Sequence, residues 1–196
     1  MGLQRLYQHM KGMRKYIIVS AIIFVFGIIL GCTNRYEEVI RSTLGNMADL
    51  TKAAEQWPNY HLGLFSLLLL NNISALGSVL YGGVFLGILP IYFLIINGMA
   101  VGFSGIQEAA NGSVWAYLLQ ILPSGIFEWP AMIMASAYGI RFGFLLLDGL
   151  ISLPSEKGRM RVKADLIGFV RVLVPLMGVL LVLLAVGTVM ETFVSP

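Results

Sequence analysis

Five long apolar stretches set the pattern of the chain, and short polar segments separate them. Each stretch reaches the ~17–25 residues that a helix needs to cross the hydrocarbon core of a bilayer. Pro90 indicates a kink in the third stretch. The pattern therefore predicts five membrane-spanning helices, over residues 16–32, 61–81, 84–106, 126–147 and 166–190.

The segment 34–60 follows a different pattern, because apolar residues recur there every three or four positions among charged ones. The recurring residues are Ile40, Leu44, Met47, Leu50, Ala54 and Trp57. This spacing predicts an extracytoplasmic amphipathic helix over 36–57 that lies along the outer membrane interface. Its polar face either docks a partner or is simply solvated, and the pattern leaves both interpretations open.

The segment 114–147 has an awkward length, since it is too long for one span and too short for two spans with a connection. Pro123 and Gly125 lie where a helix would most easily break. The sequence therefore predicts a short re-entrant or interfacial helix over 114–122, a break at 123–125, and a span from 126. The predicted fold class is an all-α polytopic helix bundle, with residues 1–196 forming a single integral membrane domain.

Basic residues mark the predicted cytoplasmic side. Arg5, Lys11, Arg14 and Lys15 precede the first span without any acidic residue, and the segment 152–163 is rich in lysine and arginine. The positive-inside rule places both segments in the cytoplasm. Five spans then put the N-terminus in the cytoplasm and the segment 191–196 outside. A cleaved lipoprotein signal ending at Cys32 is the alternative for the first span, and we favour a retained helix.

The composition agrees with a membrane protein. The chain is 58% hydrophobic and 12% charged, whereas soluble domains carry about 25% charged residues. Its net charge of +3 gives no reason to expect a nucleic-acid partner. With one cysteine and two histidines, the sequence offers no disulfide framework, no multi-cysteine metal site, and no HExxH, Ser/His/Asp or phosphate-loop motif. We therefore expect no catalytic residue, no metal and no cofactor, and a protein that is not an enzyme.

Small residues recur at four-residue spacing along three predicted helix faces. Such faces let the backbones of two helices approach closely. We expect them to mediate helix packing or self-association, and we expect the protein to form a homo-oligomer, most simply a homodimer. The small residues are Gly83 and Gly87, then Gly98 and Gly102, and finally Ala131, Ala135, Gly139 and Gly143.

A few polar residues lie at membrane depth, where they are costly and often functional. Glu128 and Arg141 are thirteen positions apart, about 20 Å along a helix, so they cannot pair within it. One interpretation is an outward-open polar cavity that binds an ion, a proton or a small solute. The other, which we favour at this point, is a hydrogen-bond network that fixes helix packing. The predicted site residues are Asn71, Asn72, Asn97, Ser124, Glu128 and Arg141.

The residues from about 67 to 143 resemble the stage II sporulation protein M family. The resemblance rests on Asn72, a glycine-rich turn, Pro90, the run NGMAVG from Asn97, and the run LPSGIFEWPA from Leu122. The last run is similar to the family pattern Leu-Pro-His-Gly-x-x-Glu-x-x-Ala, with Ser124 in place of the histidine. This difference argues against a mechanism in which a histidine beside Glu128 relays protons or binds metal.

The resemblance implies a multi-pass protein of the bacterial cell membrane. It also implies partners in the cell envelope, such as peptidoglycan hydrolases that are held at the division septum during engulfment in sporulation. The leading hypothesis is therefore a non-enzymatic membrane scaffold for envelope proteins. The alternative hypothesis is a channel or transporter for an ion or small solute, with its polar site at Glu128.

Overall fold

The computed structural model describes residues 2–33, 35–110 and 112–193, and within these ranges every regular element is an α-helix. The helices are α1 (Gly2–Gly31), α2 (Glu37–Ala54), α3 (Tyr60–Gly82), α4 (Ile88–Ala110), α5 (Val114–Ile151) and α6 (Glu156–Phe193). Five of them, all except α2, are long and apolar enough to cross a membrane. The predicted all-α bundle with five spans is confirmed.

The predicted amphipathic helix is α2, and its apolar stripe faces the bundle. Ile40 is 1% exposed and Ala54 is fully buried, whereas Glu38 and Asp49 are exposed. Ile40 packs in a cluster with Ile96, Met99 and Phe103 of α4. Apolar packing on one side therefore holds α2 against the end of the bundle where α3 begins and α4 ends.

The predicted break at 123–125 is wrong, because α5 is one helix of 38 residues that contains both Pro123 and Pro130. The separate helix over 114–122 is therefore also wrong. A break would expose several amides to lipid, whereas each proline removes only one N–H, so continuing the helix is less costly. At 1.5 Å per residue α5 is ~57 Å long, and the extra residues extend it beyond the hydrocarbon core.

Helix α1 begins at Gly2, well before the predicted start at 16, and the starts of α6 and α4 also differ from the predicted ones. Helix α6 begins at Glu156, so most of the predicted cytoplasmic loop 152–163 is helical. Helix α4 begins at Ile88, after a turn in which Leu86 and Gly87 have φ angles of 53° and 80°. Pro90 is thus in the first turn of α4, where an N–H has no partner within the helix. It does not interrupt the span, contrary to the predicted kink.

The buried core joins α1, α3, α5 and α6. Tyr138 and Leu180 are fully buried at its centre, and Phe169 contacts Tyr138 through tilted rings whose centroids are 5.8 Å apart. Leu76 and Val79 of α3 belong to the same cluster. This apolar cluster fills the half of the bundle toward the predicted cytoplasmic side.

The small-residue faces are used within one chain. An added Cβ on Gly102 would lie 2.9 Å from the carbonyl carbon of Ile28 in α1, and one on Gly98 would lie 3.0 Å from Cα of Gly27. The face that runs from Ala131 to Gly143 on α5 packs in the same way, since an added Cβ on Gly139 would lie 2.6 Å from the Val79 oxygen of α3. Self-association stays a prediction, and it would need a surface other than these faces.

This packing predicts opposite effects of alanine at two glycines of the spanning helices. Gly102→Ala should lower the free energy of unfolding by about 1–3 kcal/mol, because the new methyl group meets backbone that cannot move aside. Gly178 in α6 has no neighbour within 4 Å of an added Cβ. Gly178→Ala should therefore leave stability unchanged or raise it by up to ~1 kcal/mol. Thermal unfolding of both variants in detergent tests the contrast, and equal effects would contradict the packing.

Candidate functional site

A cavity of about 440 Å³ lies between the helices, and all six of them contribute to its wall. Most of the wall is apolar, including Phe24, Phe93 and Trp129. This volume is within the range of ~300–1,000 Å³ that is typical of small-molecule sites. The polar residues of the wall are Asn46, Asn71, Asn72, Asn97, Ser104, Tyr117, Glu128 and Glu191.

Three helices meet at Asn72, which lies about midway along α3. Its Nδ2 atom donates to Glu128 Oε1 of α5 at 3.4 Å and to Thr188 Oγ1 of α6 at 3.4 Å. Thr188 is fully buried, while Glu128 is only half-buried. Both hydrogen bonds are longer than the usual 2.7–3.2 Å, so this contact joins the helices only weakly.

Gly187 gives the Glu128 side chain its space. An added Cβ at this position would lie 2.5 Å from Cγ of Glu128 and 3.0 Å from its Oε1. Gly187 and Thr188 are adjacent in α6, so one turn of that helix supplies both the space for the carboxylate and the hydroxyl beside it. The position of Glu128 therefore depends on small and polar residues of α6.

Glu191 is a second carboxylate in the cavity wall, and sequence reasoning missed it. The predicted fifth span ends at 190 and leaves Glu191 in an outer tail, whereas α6 continues to Phe193. Residues 194–196 of that tail lie outside the described residues. The spacing of Thr188 and Glu191, three positions apart, was the available signal, since it puts both on one helix face.

Two other polar residues of the wall bond to main-chain oxygens. Asn97 Nδ2 donates to the Phe93 oxygen at 2.8 Å, one turn earlier in α4. The Tyr117 hydroxyl of α5 donates to the Val101 oxygen of α4, also at 2.8 Å. Asn97 therefore shares the cavity with Glu128 without bonding to it, and Tyr117 links α4 to α5.

The structure divides the predicted site residues into two groups. Asn71, Asn72, Asn97 and Glu128 line the one cavity. Ser124 is buried, and its hydroxyl donates to the Ile121 oxygen within α5 at 3.3 Å instead of contributing to the cavity wall. The sixth residue, Arg141, also lies outside the cavity wall.

Arg141 lies toward the opposite end of α5 from the cavity. Its Nη1 atom donates to the Tyr16 hydroxyl at 3.1 Å, and its guanidinium carbon lies 5.5 Å from the centroid of the same ring. Tyr16 is on α1, next to the basic residues Arg14 and Lys15. Arg141 therefore belongs to the predicted cytoplasmic end, as its sequence distance from Glu128 indicated.

Comparison with known proteins identifies the family. The family model described as "Stage II sporulation protein M" matches residues 20–196. The chain belongs to the stage II sporulation protein M family. The segment that carried the resemblance, from Leu122 to Ala131, lies within α5 of this family member and brings Glu128 to the cavity.

A relative of this family member occurs in Methanocaldococcus jannaschii and is described as an uncharacterized protein. The two chains are 24% identical over 183 residues, which cover 92% of this chain and 93% of the relative. No solved structure matches the chain. The comparisons thus establish the family and the multi-pass membrane character of this stage II sporulation protein M family member.

The contact at Asn72 generates a prediction with a control at the neighbouring position. Asn72→Ala in this family member removes both hydrogen bonds and should lower the free energy of unfolding by about 1 kcal/mol, which is the usual size for polar contacts between membrane helices. Asn71→Ala should change it by less than ~0.5 kcal/mol, since Asn71 is exposed. Thermal unfolding in the same detergent measures both. An equal loss in the two variants would show that Asn72 does not join the helices.

Proposed function

We propose that this stage II sporulation protein M family member is a non-enzymatic membrane scaffold that recruits or positions cell-envelope proteins at its outer face. The observation that carries the proposal is the arrangement of α2, whose apolar stripe is fixed to the bundle while its polar face is exposed. A helix held in this way offers a rigid polar surface to a partner. Rigid surfaces lose little entropy when they bind.

On α2 and its C-terminal cap, four acidic residues outnumber two basic ones: Glu37, Glu38, Asp49 and the cap residue Glu55 against Arg41 and Lys52. Glu37 forms an ion pair with Arg41, with 2.5 Å between Oε1 and Nε, and both side chains remain solvent-accessible. Glu38, Asp49 and Glu55 are exposed, and no described cation forms an ion pair with them. Their charges make the docking surface negative, which favours partners with a basic contact face.

The family supports the choice of partner. Peptidoglycan hydrolases of the envelope, as in engulfment during sporulation, are the proposed class. A homo-oligomer is also part of the proposal, and it would need a surface other than the glycine faces, which pack within one chain. The predicted orientation, with α2 outside the cell, would place this surface on the same side of the membrane as the peptidoglycan.

Reversing the charge of α2 tests the scaffold. Glu38→Lys, Asp49→Lys and Glu55→Lys together should lower the recovery of a crosslinked peptidoglycan hydrolase from the native membrane by about tenfold, because a repulsive charge replaces an attractive one. The measurement is quantitative mass spectrometry of the purified, crosslinked protein. Its thermal stability should stay near that of the parent, because all three side chains are exposed.

The control carries the same number of reversals at the other end of the molecule. Asp148→Lys, Glu156→Lys and Asp165→Lys also change three exposed acidic residues, on the predicted cytoplasmic side. This variant should recover the hydrolase as well as the parent does. Undiminished recovery with the α2 variant would count against the scaffold, and equal losses in both variants would point to a general effect of charge.

A carrier for an ion or small solute is the second proposed function, and the cavity favours it. Its wall includes Leu76, Val79 and Ala135, which also belong to the buried apolar cluster. Because that cluster closes the cavity toward the predicted cytoplasmic side, the geometry supports a carrier that alternates between two conformations rather than an open channel. Glu128 would be the binding group.

Flux measurements in proteoliposomes test the carrier. Glu128→Gln should abolish any solute-dependent flux, since it removes the charge from the cavity while keeping the shape of the side chain. Glu108→Gln is the matched control, because Glu108 is an exposed acidic residue of α4 that does not line the cavity. Absence of flux in the parent protein, or flux that persists in Glu128→Gln, would end this second function.

A further inference from the structure

The charge of the cavity wall has one sign. Glu128 and Glu191 both line the cavity, and within the described part of the chain none of the lining residues is Lys, Arg or His. The two carboxylates come from different helices, α5 and α6, so they face a shared space and not merely one helix surface. A wall of this kind attracts a cation.

Both carboxylates have unused acceptor capacity. An ionised carboxylate has about four acceptor positions. Among the described residues, Glu128 receives one hydrogen bond, the 3.4 Å contact from Asn72, and Glu191 receives none. Acceptors that are half-buried and poorly paired are costly unless another donor reaches them. The pair therefore favours a ligand that donates hydrogen bonds.

The asparagine side chains of the wall also offer unused hydrogen-bond acceptors. The Nδ2 atoms of Asn72 and Asn97 donate to protein acceptors, and the Tyr117 hydroxyl donates to a main-chain oxygen. This leaves the amide oxygens of Asn72 and Asn97 as acceptors for a ligand. At Asn72, Asn97 and Tyr117, donor hydrogens are thus already engaged, whereas most of the acceptor capacity of Glu128 and Glu191 is unused.

Size and wall chemistry distinguish an organic cation from a metal ion. A metal ion needs several oxygen ligands within ~2.0–2.6 Å, and a cavity of about 440 Å³ is far larger than such a shell. No group of three acidic, histidine or cysteine residues that could hold a metal occurs among the described residues. Phe24 and Trp129 instead pack together in the wall with ring centroids 5.9 Å apart, and this apolar aromatic surface fits the carbon part of an organic cation.

We propose that the cavity binds a small organic ammonium ion, with its charged group between Glu128 and Glu191 and its apolar part against the aromatic wall. Asn46 of α2 lines the cavity and is also exposed, so the cavity reaches the surface beside the outer helix. The inference concerns the same cavity as the proposed carrier, and binding without transport would satisfy it. It does not depend on the scaffold.

Three probes of nearly equal size and different charge test the inference. Benzylammonium, benzyl alcohol and benzoate would be titrated by calorimetry into the full-length protein in a maltoside detergent, whose head group is uncharged. Benzylammonium should bind with one-to-one stoichiometry, at least about tenfold more tightly than the alcohol, because the charged group adds charge-assisted hydrogen bonds to the carboxylates. Benzoate should bind least.

Variants assign the binding to the two carboxylates. Glu128→Gln and Glu191→Gln should each lower the affinity for benzylammonium by about tenfold, while the affinity for benzyl alcohol stays unchanged. Glu108→Gln should bind benzylammonium as the parent does. Since Glu191 has no hydrogen bond to a described residue, Glu191→Gln should leave the fold intact and keeps the test valid even if Glu128→Gln unfolds the protein. The melting temperature of each variant without ligand shows whether it is folded.

Two outcomes would overturn the inference. Equal affinity for all three probes, insensitive to both glutamine variants, would show an apolar cavity that takes any small molecule, a lipid or detergent chain included. Failure of benzylammonium, butylammonium and tetramethylammonium to bind up to their solubility limits would exclude an ammonium site. Binding without flux in liposomes would end the carrier and leave the ammonium site in place.

Discussion

Lipid cannot form hydrogen bonds with a peptide backbone, and this constraint shapes the whole molecule. Each spanning segment must satisfy its own N–H and C=O groups, so α5 continues through Pro123 and Pro130 instead of breaking. With the backbone occupied in this way, the chemistry of the interior is left to side chains. This is why a few asparagines and two glutamates decide what the cavity can bind.

Close contacts between backbones supply the rigidity that hydrogen bonds between helices do not. The Asn72 hydrogen bonds are 3.4 Å long and together contribute only about 1 kcal/mol. At Gly98 and Gly102, by contrast, α4 lies directly against the backbone of α1, so even one methyl group does not fit. The helix positions are thus set by van der Waals contact on the glycine faces, and Asn97 and Ser104, which line the cavity, lie on a face of α4 that this contact does not use.

The spans and the outer helix could be predicted because hydrophobic periodicity and length determine them directly. Neither helix ends nor packing partners follow from those signals. Glu191 was assigned to a tail because hydropathy falls near the true end of α6, and the break at Pro123 was inferred from a propensity that is weaker in lipid than in water. The small-residue faces could be identified from spacing alone, but the sequence did not distinguish contact within one chain from contact between two.

The candidate site was predictable in part for a similar reason. Polar residues at membrane depth are rare enough that Asn71, Asn72, Asn97 and Glu128 could be selected by position, and they do line one cavity. Which of them bond to each other depends on helix rotation, which the sequence does not specify. Asn97 bonds to its own helix, and Thr188, which sequence reasoning passed over, accepts the hydrogen bond from Asn72.

Helix α2 lies between the outer face and the cavity, so any coupling between the two proposed roles must pass through movement of α2. Its polar side carries Glu38 and Asp49, while Leu44 and Met47 on its other side line the cavity. A ligand that contacts Leu44 or Met47 stabilises one placement of α2 against the bundle relative to another placement of the same helix. Thermodynamic linkage then requires a partner on the outer side of α2 to alter ligand affinity by the same factor, provided that the partner also distinguishes those positions. A rigid α2, held by Ile40 and Ala54, would instead keep the two sites uncoupled, and the burial of both residues favours that case.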